Sequence, residues 1–287
     1  MRFLLILSLF ISITSCGKLI PQVQTDYAII YEKQDSLLIL EKRAEFKKVS
    51  LDRMSFLLEG IALSFVGSPY KAHTLDVADE ESLVINLREF DCTTLVETCL
   101  ALTTTFKMGG HTFDSYQYIL KRIRYRNGYL NGYNSRLHYF SDWITDNSEI
   151  GYIKDATKIF DGVPYPNTVN FMSNHFSAYR QLANDTSLVA GIREIEQSIS
   201  KREYFYIPKE ELQKIEIYLE EGMIVAFTTG IEGLDVVHTG ITVRDGDKIK
   251  LVHASSDAGK VVVTENTLLE YVMGNKLQTG VFLLKVD

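Results

Sequence analysis

The chain has 287 residues, a net charge of −7, 46% hydrophobic and 23% charged residues, ordinary proportions for a globular protein. The acidic balance argues against nucleic acid as a partner, because phosphate binding needs a basic surface. Three cysteines are too few for a disulfide scaffold, and the length fits one large domain or two small ones.

Met1 and Arg2 give a short positive start, and residues 3–13 are apolar apart from Ser8 and Ser12. This run is too short to span a bilayer as a helix and suits the core of a signal peptide. It ends in Ile13-Thr14-Ser15-Cys16-Gly17, which resembles the cleavage box of bacterial lipoproteins. That resemblance implies lipid on Cys16, a membrane anchor through it, and a place in the cell envelope facing the periplasm. An ordinary secretory signal with a chance cysteine is the alternative, and it too puts the mature protein outside the cytoplasm. The expected organisation is a signal peptide over 1–15, a lipidated cysteine and tether over 16–40, and a single folded domain over 41–287.

Phe46, Val49, Met54, Leu57, Leu58, Ile61 and Phe65 fall near one stripe, which predicts a helical pattern over 41–66. Gly67-Ser68-Pro69-Tyr70 breaks it. Residues 71–90 read as irregular, with a short strand at Leu83-Val84-Ile85. Leu95, Val96, Cys99, Leu100 and Leu102 then recur at helical spacing, predicting a buried helix from Cys92 to about Lys107, stopped by Gly109-Gly110. Residues 111–210 read as helix and loop. Helices are expected over 113–123, 173–182 and 188–199, an aromatic, Gly/Asn-rich ordered loop over 125–139, and another loop at Pro164 and Pro166. After Gly222 the texture is β: 223–228, 236–244, 248–254, 261–264 and 280–286, with Asp245-Gly246 as a tight hairpin. Strands gathered at the C-terminal end after helices predict an α+β fold with an antiparallel sheet, and an insert over about 108–215.

Cys92 stands on the first turn of its helix, where unpaired backbone N–H groups and the positive end of the dipole favour a thiolate. A nucleophile needs a base, and the base an orienting partner. His238 and His253 supply both if Asp245-Gly246 turns the hairpin, since they lie seven residues before and seven after it and face each other across paired strands. Cys99 lies ~10 Å further along the helix and reads as core.

The pieces Gly67-Ser68-Pro69-Tyr70, Phe90-Asp91-Cys92, Glu221-Gly222-Met223-Ile224-Val225-Ala226-Phe227, His238-Thr239-Gly240-Ile241 and Val252-His253-Ala254-Ser255 occur in the order used by the NlpC-type cell-wall cysteine hydrolases. The chain resembles that superfamily over about residue 41 to the C-terminus. Asn86-Leu87, Glu97 and Ser135-Arg136-Leu137-His138-Tyr139 before Trp143 resemble a narrower group, the N-acetylmuramoyl-L-alanine amidase-like family. The resemblance implies a papain-like fold: an N-terminal helix carrying the nucleophile, packed on a C-terminal antiparallel sheet. Many superfamily members have Asp-Cys-Ser-Gly where this chain has Asp91-Cys92-Thr93-Thr94, and Gly-Asp where it has Gly222-Met223. These departures favour the amidase-like branch over peptidases.

On this reading Cys92 attacks an amide carbon and His238 moves the proton. His253 accepts a hydrogen bond from the other His238 nitrogen, and the Cys92 N–H holds the oxyanion. By resemblance the Tyr70 hydroxyl is a second oxyanion donor. Asp91 either binds a substrate amine or caps the helix, and Glu97 is structural, holding an arginine or a loop. Ser135, Arg136, His138, Tyr139 and Trp143 form a polar-aromatic cluster. It suits sugar stacking and carboxylate binding, or else simply packs on the domain.

The resemblance implies hydrolysis of the bond between N-acetylmuramic acid and L-alanine in peptidoglycan fragments, without metal or organic cofactor, in wall turnover or recycling. A γ-D-glutamyl-diamino-acid endopeptidase and a non-catalytic muropeptide-binding lipoprotein are the alternatives. A Cys92/His238/His253 zinc site is a sharper rival, though no Cys-x-x-Cys or His-x-x-x-His spacing accompanies it.

Overall fold

The computed structural model describes residues 27–50, 53–166 and 168–286. The signal-peptide run, Cys16 and the first part of the expected tether lie outside the described residues.

The chain joins the fold well before residue 41. Strand β1 (Ile29–Ile30) pairs in parallel with β2 (Leu83–Val84), and helix α1 (Lys33–Glu45) starts in a capping box between Glu32 and Asp35. The buried Asp35 carboxylate accepts the Leu87 N–H at 2.9 Å and pairs with Arg88 Nε at 3.1 Å. Residues 29–40 therefore brace the segment leading into Cys92, where a tether was expected. A two-residue strand and one buried carboxylate leave no periodic trace in a sequence.

Helix α2 (Met54–Leu63) is separate from α1, so the stripe over 41–66 belongs to two helices. Phe46, at the end of α1, lies against Gly60 of α2, where an added Cβ would sit 2.9 Å from its ring. Helix α3 (Cys92–Lys107) forms as its spacing predicts, and every residue from Thr94 to Phe106 is buried. Helix α4 (Phe113–Arg124) packs on it. Arg124 reaches back to Glu97 Oε2 at 2.7 Å and to the Val84 carbonyl at 2.6 Å, locking α3, α4 and β2 together.

The insert continues through α5 (Phe140–Ile150), β3 (Ile153–Asp155), β4 (Val163–Tyr165), α6 (Phe171–Asn174), α7 (Arg180–Asn184), α8 (Leu188–Ser200), β5 (Tyr204–Pro208) and α9 (Leu212–Ile215). The helix expected over 173–182 is split into α6 and α7. Side chains take its first amides: the Tyr139 hydroxyl accepts from Met172 N and the Glu196 carboxylate from Ser173 N, both at 2.9 Å.

The C-terminal part is β6 (Ile224–Thr229), β7 (Val236–Asp245), β8 (Lys248–Ser255), β9 (Lys260–Val263), α10 (Leu268–Gly274) and β10 (Gln278–Val286). These strands join those of the insert in one sheet of order β4-β5-β10-β6-β7-β8-β9, with β3 also on β10, and all its pairings are antiparallel. Alternation along the strands gives the sheet two apolar faces. Ile224, Ala226, Ile241 and Val252 join the core that holds α2 to α5, while Val225, Phe227, Leu251 and Val281 pack with Leu268 and Val272 of α10. The architecture is α+β.

The β7–β8 turn differs from its expected position. Asp245 pairs with Lys248, so Gly246-Asp247 makes the turn, with Gly246 in the left-handed region at φ 61°. The register runs to Ile241 opposite Val252, and its continuation sets Gly240 opposite His253. His238 and His253 are thus diagonal neighbours on one face, within reach of long side chains.

Candidate active site

Asp91 is the N-cap of α3. Its Oδ1 accepts the Thr94 N–H at 2.7 Å, while its own N–H donates to Thr94 Oγ1 at 3.0 Å. This closes the first turn and fixes Cys92 at the helix tip, half-buried and free of any disulfide. The approach to that tip is pinned from the side. Tyr70 N donates to Gly259 O, Phe90 N to Pro69 O at 3.0 Å, and Lys71 N to Phe90 O at 2.9 Å. Tyr70 is thereby held beside the residues that precede Cys92.

Strand β7 holds the other side. The Thr239 hydroxyl donates to the Cys92 carbonyl at 2.8 Å. One residue earlier, on the opposite face of the strand, His238 Nε2 meets His253 Nδ1 at 2.8 Å. The two rings are crossed at 88°. Phe227, directly across from His238 on β6, stacks on it with ring centroids 5.7 Å apart. At the start of β7 the buried Asp235 accepts the Ser141 N–H of α5 at 2.7 Å and the Val236 N–H at 2.8 Å, tying the insert to this strand.

The thiol lies 4.0 Å from Thr93 Oγ1, and the Thr239 backbone and hydroxyl also favour its thiolate; among the described residues no hydrogen bond joins Sγ to an imidazole. Burial, then the Asp91 carboxylate, push the Cys92 thiol pKa up. The helix start predicts the reverse. A helix end is worth about 0.3–1 kcal/mol in most settings, and burial of a thiolate outweighs it. Burial and the neighbouring His253 lower His238 to about 3. Burial lowers His253 to about 4, with Asp257 opposing. Both imidazoles are therefore neutral at pH 7. Burial, and then the charge of Cys92, raise the pKa of Tyr70; burial also raises Tyr271 of α10, with Cys92 contributing.

The polar-aromatic cluster is mostly structural. Trp143 is completely buried and stacks on Phe140. Tyr139 is 3% exposed, with its hydroxyl bonded to Glu196 at 2.7 Å. Neither presents a face for a sugar; each lies on the apolar side of α5 or its entry. Ser135 closes a turn on the Gly132 carbonyl at 2.6 Å. The Arg136 guanidinium is held by both oxygens of Glu81 at 3.0 and 2.8 Å and by Asp76, so its fork is already filled. Arg136 and His138 do line a surface cavity of about 430 Å³, together with Tyr133, Tyr179 and Arg180. His138 Nε2 contacts the Tyr133 carbonyl at 2.9 Å, and burial lowers its pKa to about 3. Asp91 caps the helix through Oδ1, and Glu97 holds an arginine as expected.

The sequence reading passed over Thr239 and Tyr271. Thr239 is in the quoted His238-Thr239-Gly240 segment, but only the packing of helix on strand gives its hydroxyl a partner. Tyr271, on a short helix between strands, has no local signal at all. Among the described residues no group of His, Cys, Asp and Glu converges as a metal site, and no helix is long and apolar enough to cross a membrane.

Fold and site together define a class: an α+β protein with a thiol at the tip of its most buried helix and a bonded imidazole pair on the neighbouring strands. The chain belongs to the AmiA-like family, described as N-acetylmuramoyl-L-alanine amidase-like, whose model matches residues 60–281. It is similar to the structure of an N-acetylmuramoyl-L-alanine amidase from Bacteroides uniformis, at 38% identity and a TM-score of 0.78 over 82% of this chain and 99% of that one. A Bacteroides fragilis structure with a provisional xylanase name is also similar, at 38% identity and a TM-score of 0.75 over 79% of this chain and 99% of the other. A Legionella pneumophila protein shares the fold alone, at 20% identity and a TM-score of 0.67 over 88% of this chain and 94% of the other. No curated protein matches the chain.

Proposed function

We propose that the chain is a cysteine amidase of the NlpC-type, papain-like superfamily, hydrolysing the amide between the lactyl group of N-acetylmuramic acid and L-alanine in muropeptides. One observation carries the mechanism. Strand β7 bonds the Cys92 carbonyl with Thr239 and, one residue away, presents an imidazole oriented by a second imidazole at 2.8 Å. Membership of the amidase-like family supplies the bond class.

The tautomers follow from the role. For Nδ1 of His238 to accept the thiol proton, Nε2 must carry hydrogen and donate it to Nδ1 of His253. His253 then fixes ring and tautomer, as a third triad member does. Neutral imidazoles and a raised thiol pKa make the resting pair uncharged, so proton transfer accompanies attack on the amide carbon. Side-chain rotation and substrate bring Sγ and Nδ1 together, as catalytic hydrogen bonds commonly tighten only in the complex. The tetrahedral oxyanion is held by the Cys92 N–H and the Tyr70 hydroxyl, whose raised pKa keeps it a donor. His238 returns the proton to the leaving L-alanine nitrogen, and water releases the lactyl acid from the thioester. Glycoside cleavage, by contrast, uses two flanking carboxylates; the carboxylate at this helix tip, Asp91, is bonded into the cap, beside the thiol.

The lipoprotein-like box at Cys16 supports placement of the enzyme in the cell envelope on a lipid anchor, beside the wall fragments it would cut.

Digestion of a defined muropeptide with mass readout tests the activity. The expected products are the free muramic acid sugar and a peptide beginning with L-alanine. Cys92→Ala and His238→Ala abolish them, whereas Cys99→Ala, deep in the core, leaves them largely intact. Products divided within the peptide would make the protein an endopeptidase. Binding without products would make it a binding lipoprotein.

A further inference from the structure

We propose that Tyr271 is a positioning residue for the imidazole pair, its ring forming the wall that holds His238 and His253 crossed. The proposal rests on the reading of those histidines as base and orienter.

The ring of Tyr271 touches each member of the group. Its centroid lies 5.3 Å from His253 at an interplanar angle of 61°, 6.5 Å from His238, and 5.5 Å from Phe227 at 60°. Phe227 in turn stacks nearly parallel on His238, at 22°. His238 therefore has one aromatic ring on the strand side and another on the helix side, while His253 meets Tyr271 on the helix side. A hydrogen bond of 2.8 Å fixes one distance between them but leaves each ring free to turn about it; edge and face contacts from two fixed aromatics remove that freedom.

Tyr271 itself is fixed. Helix α10 opens in a capping box in which Thr267 Oγ1 accepts the Glu270 N–H at 3.2 Å and the Glu270 carboxylate accepts the Thr267 N–H at 2.9 Å. Leu268 and Val272 are fully buried on the sheet and set the rotation of the helix. The Tyr271 hydroxyl approaches the side-chain amide of Gln278, which is 1% exposed and whose Oε1 and Nε2 have no hydrogen bond of good geometry among the described residues. The wall also keeps water from the imidazoles, consistent with burial being the first cause of their lowered pKa values.

The test compares Tyr271→Phe with Tyr271→Leu in the full chain, by muropeptide kinetics and by imidazole nitrogen shifts in histidine-labelled protein. Tyr271→Phe, which keeps the ring, is expected to retain most of kcat and the shifts of the bonded pair. Tyr271→Leu is expected to lose about tenfold or more in kcat, the size of effect that misorientation produces, with KM little changed and the two shifts moving toward free imidazole. Native shifts and native kcat in Tyr271→Leu would overturn the proposal, as would an equal loss in Tyr271→Phe, which would assign the effect to the hydroxyl. The nitrogen shifts decide the matter even if the native chain releases no product, so the failure of the amidase reading is seen separately.

Discussion

Removing Glu97 is the sharpest test of how helix α3 is held. The Arg124 guanidinium and Glu97 carboxylate are each about 3% exposed and 2.7 Å apart. Burial raises the Glu97 carboxyl pKa while Arg124 opposes it, so the pair exists against a desolvation cost. Glu97→Ala leaves Arg124 in the interior with the Val84 carbonyl as its remaining partner. Breaking one side of a buried pair costs about 3–5 kcal/mol. At about 2–4 °C per kcal/mol for a domain of this size, Tm should fall by roughly 10 °C. Glu97→Ala with Arg124→Met removes both charges and should recover much of that, giving a coupling energy of about 2 kcal/mol by urea denaturation. A single-variant cost below about 1 kcal/mol, or strict additivity in the cycle, would refute the view that this pair pins α3 to α4 and β2.

Two further outcomes are expected, one from the burial of the histidines and one from the proposed lipoprotein box. His138, His238 and His253 all have folded-state pKa values lowered, to about 3, 3 and 4, from an unfolded value of 6.5. Between those limits the unfolded chain binds more protons, so stability is lost as pH falls from about 6.5 toward 4. Thermal unfolding from pH 7.5 downward should show a falling Tm that His138→Gln partly flattens, and a flat Tm across that window would contradict the burial of these rings. At the N-terminus, cells fed labelled palmitate should label the native chain and not Cys16→Ser; label that persists in the variant would remove the anchor.

Much of the site was legible because it is built from local signals. The buried stripe of α3 with its glycine stop, the aspartate before Cys92, and the β-rich tail all survive folding nearly unchanged. The misreadings share a cause. Phe46 and Ile61 lie on one stripe in the sequence yet come from two helices, because periodicity does not record a break that packing exploits. Trp143 and Tyr139 look like ligand-facing aromatics in a polar neighbourhood, and only the burial of α5 shows them to be core. Arg136 reads as a carboxylate receptor until Glu81, remote in sequence, is found occupying it.

The sequence by itself singled out the residues proposed to carry the chemistry, a thiol at a helix start and histidines on strands, since residue type and periodicity are properties of short segments. Tertiary structure alone decided how they meet. The slip of the hairpin turn to Gly246-Asp247 set the imidazoles diagonal, the hydroxyl of Thr239 tied strand to helix tip, and α10 brought Tyr271 over the pair. Burial also reversed the expected shift of the thiol. Desolvation depends on every atom packed around a group, and no stretch of sequence contains that sum.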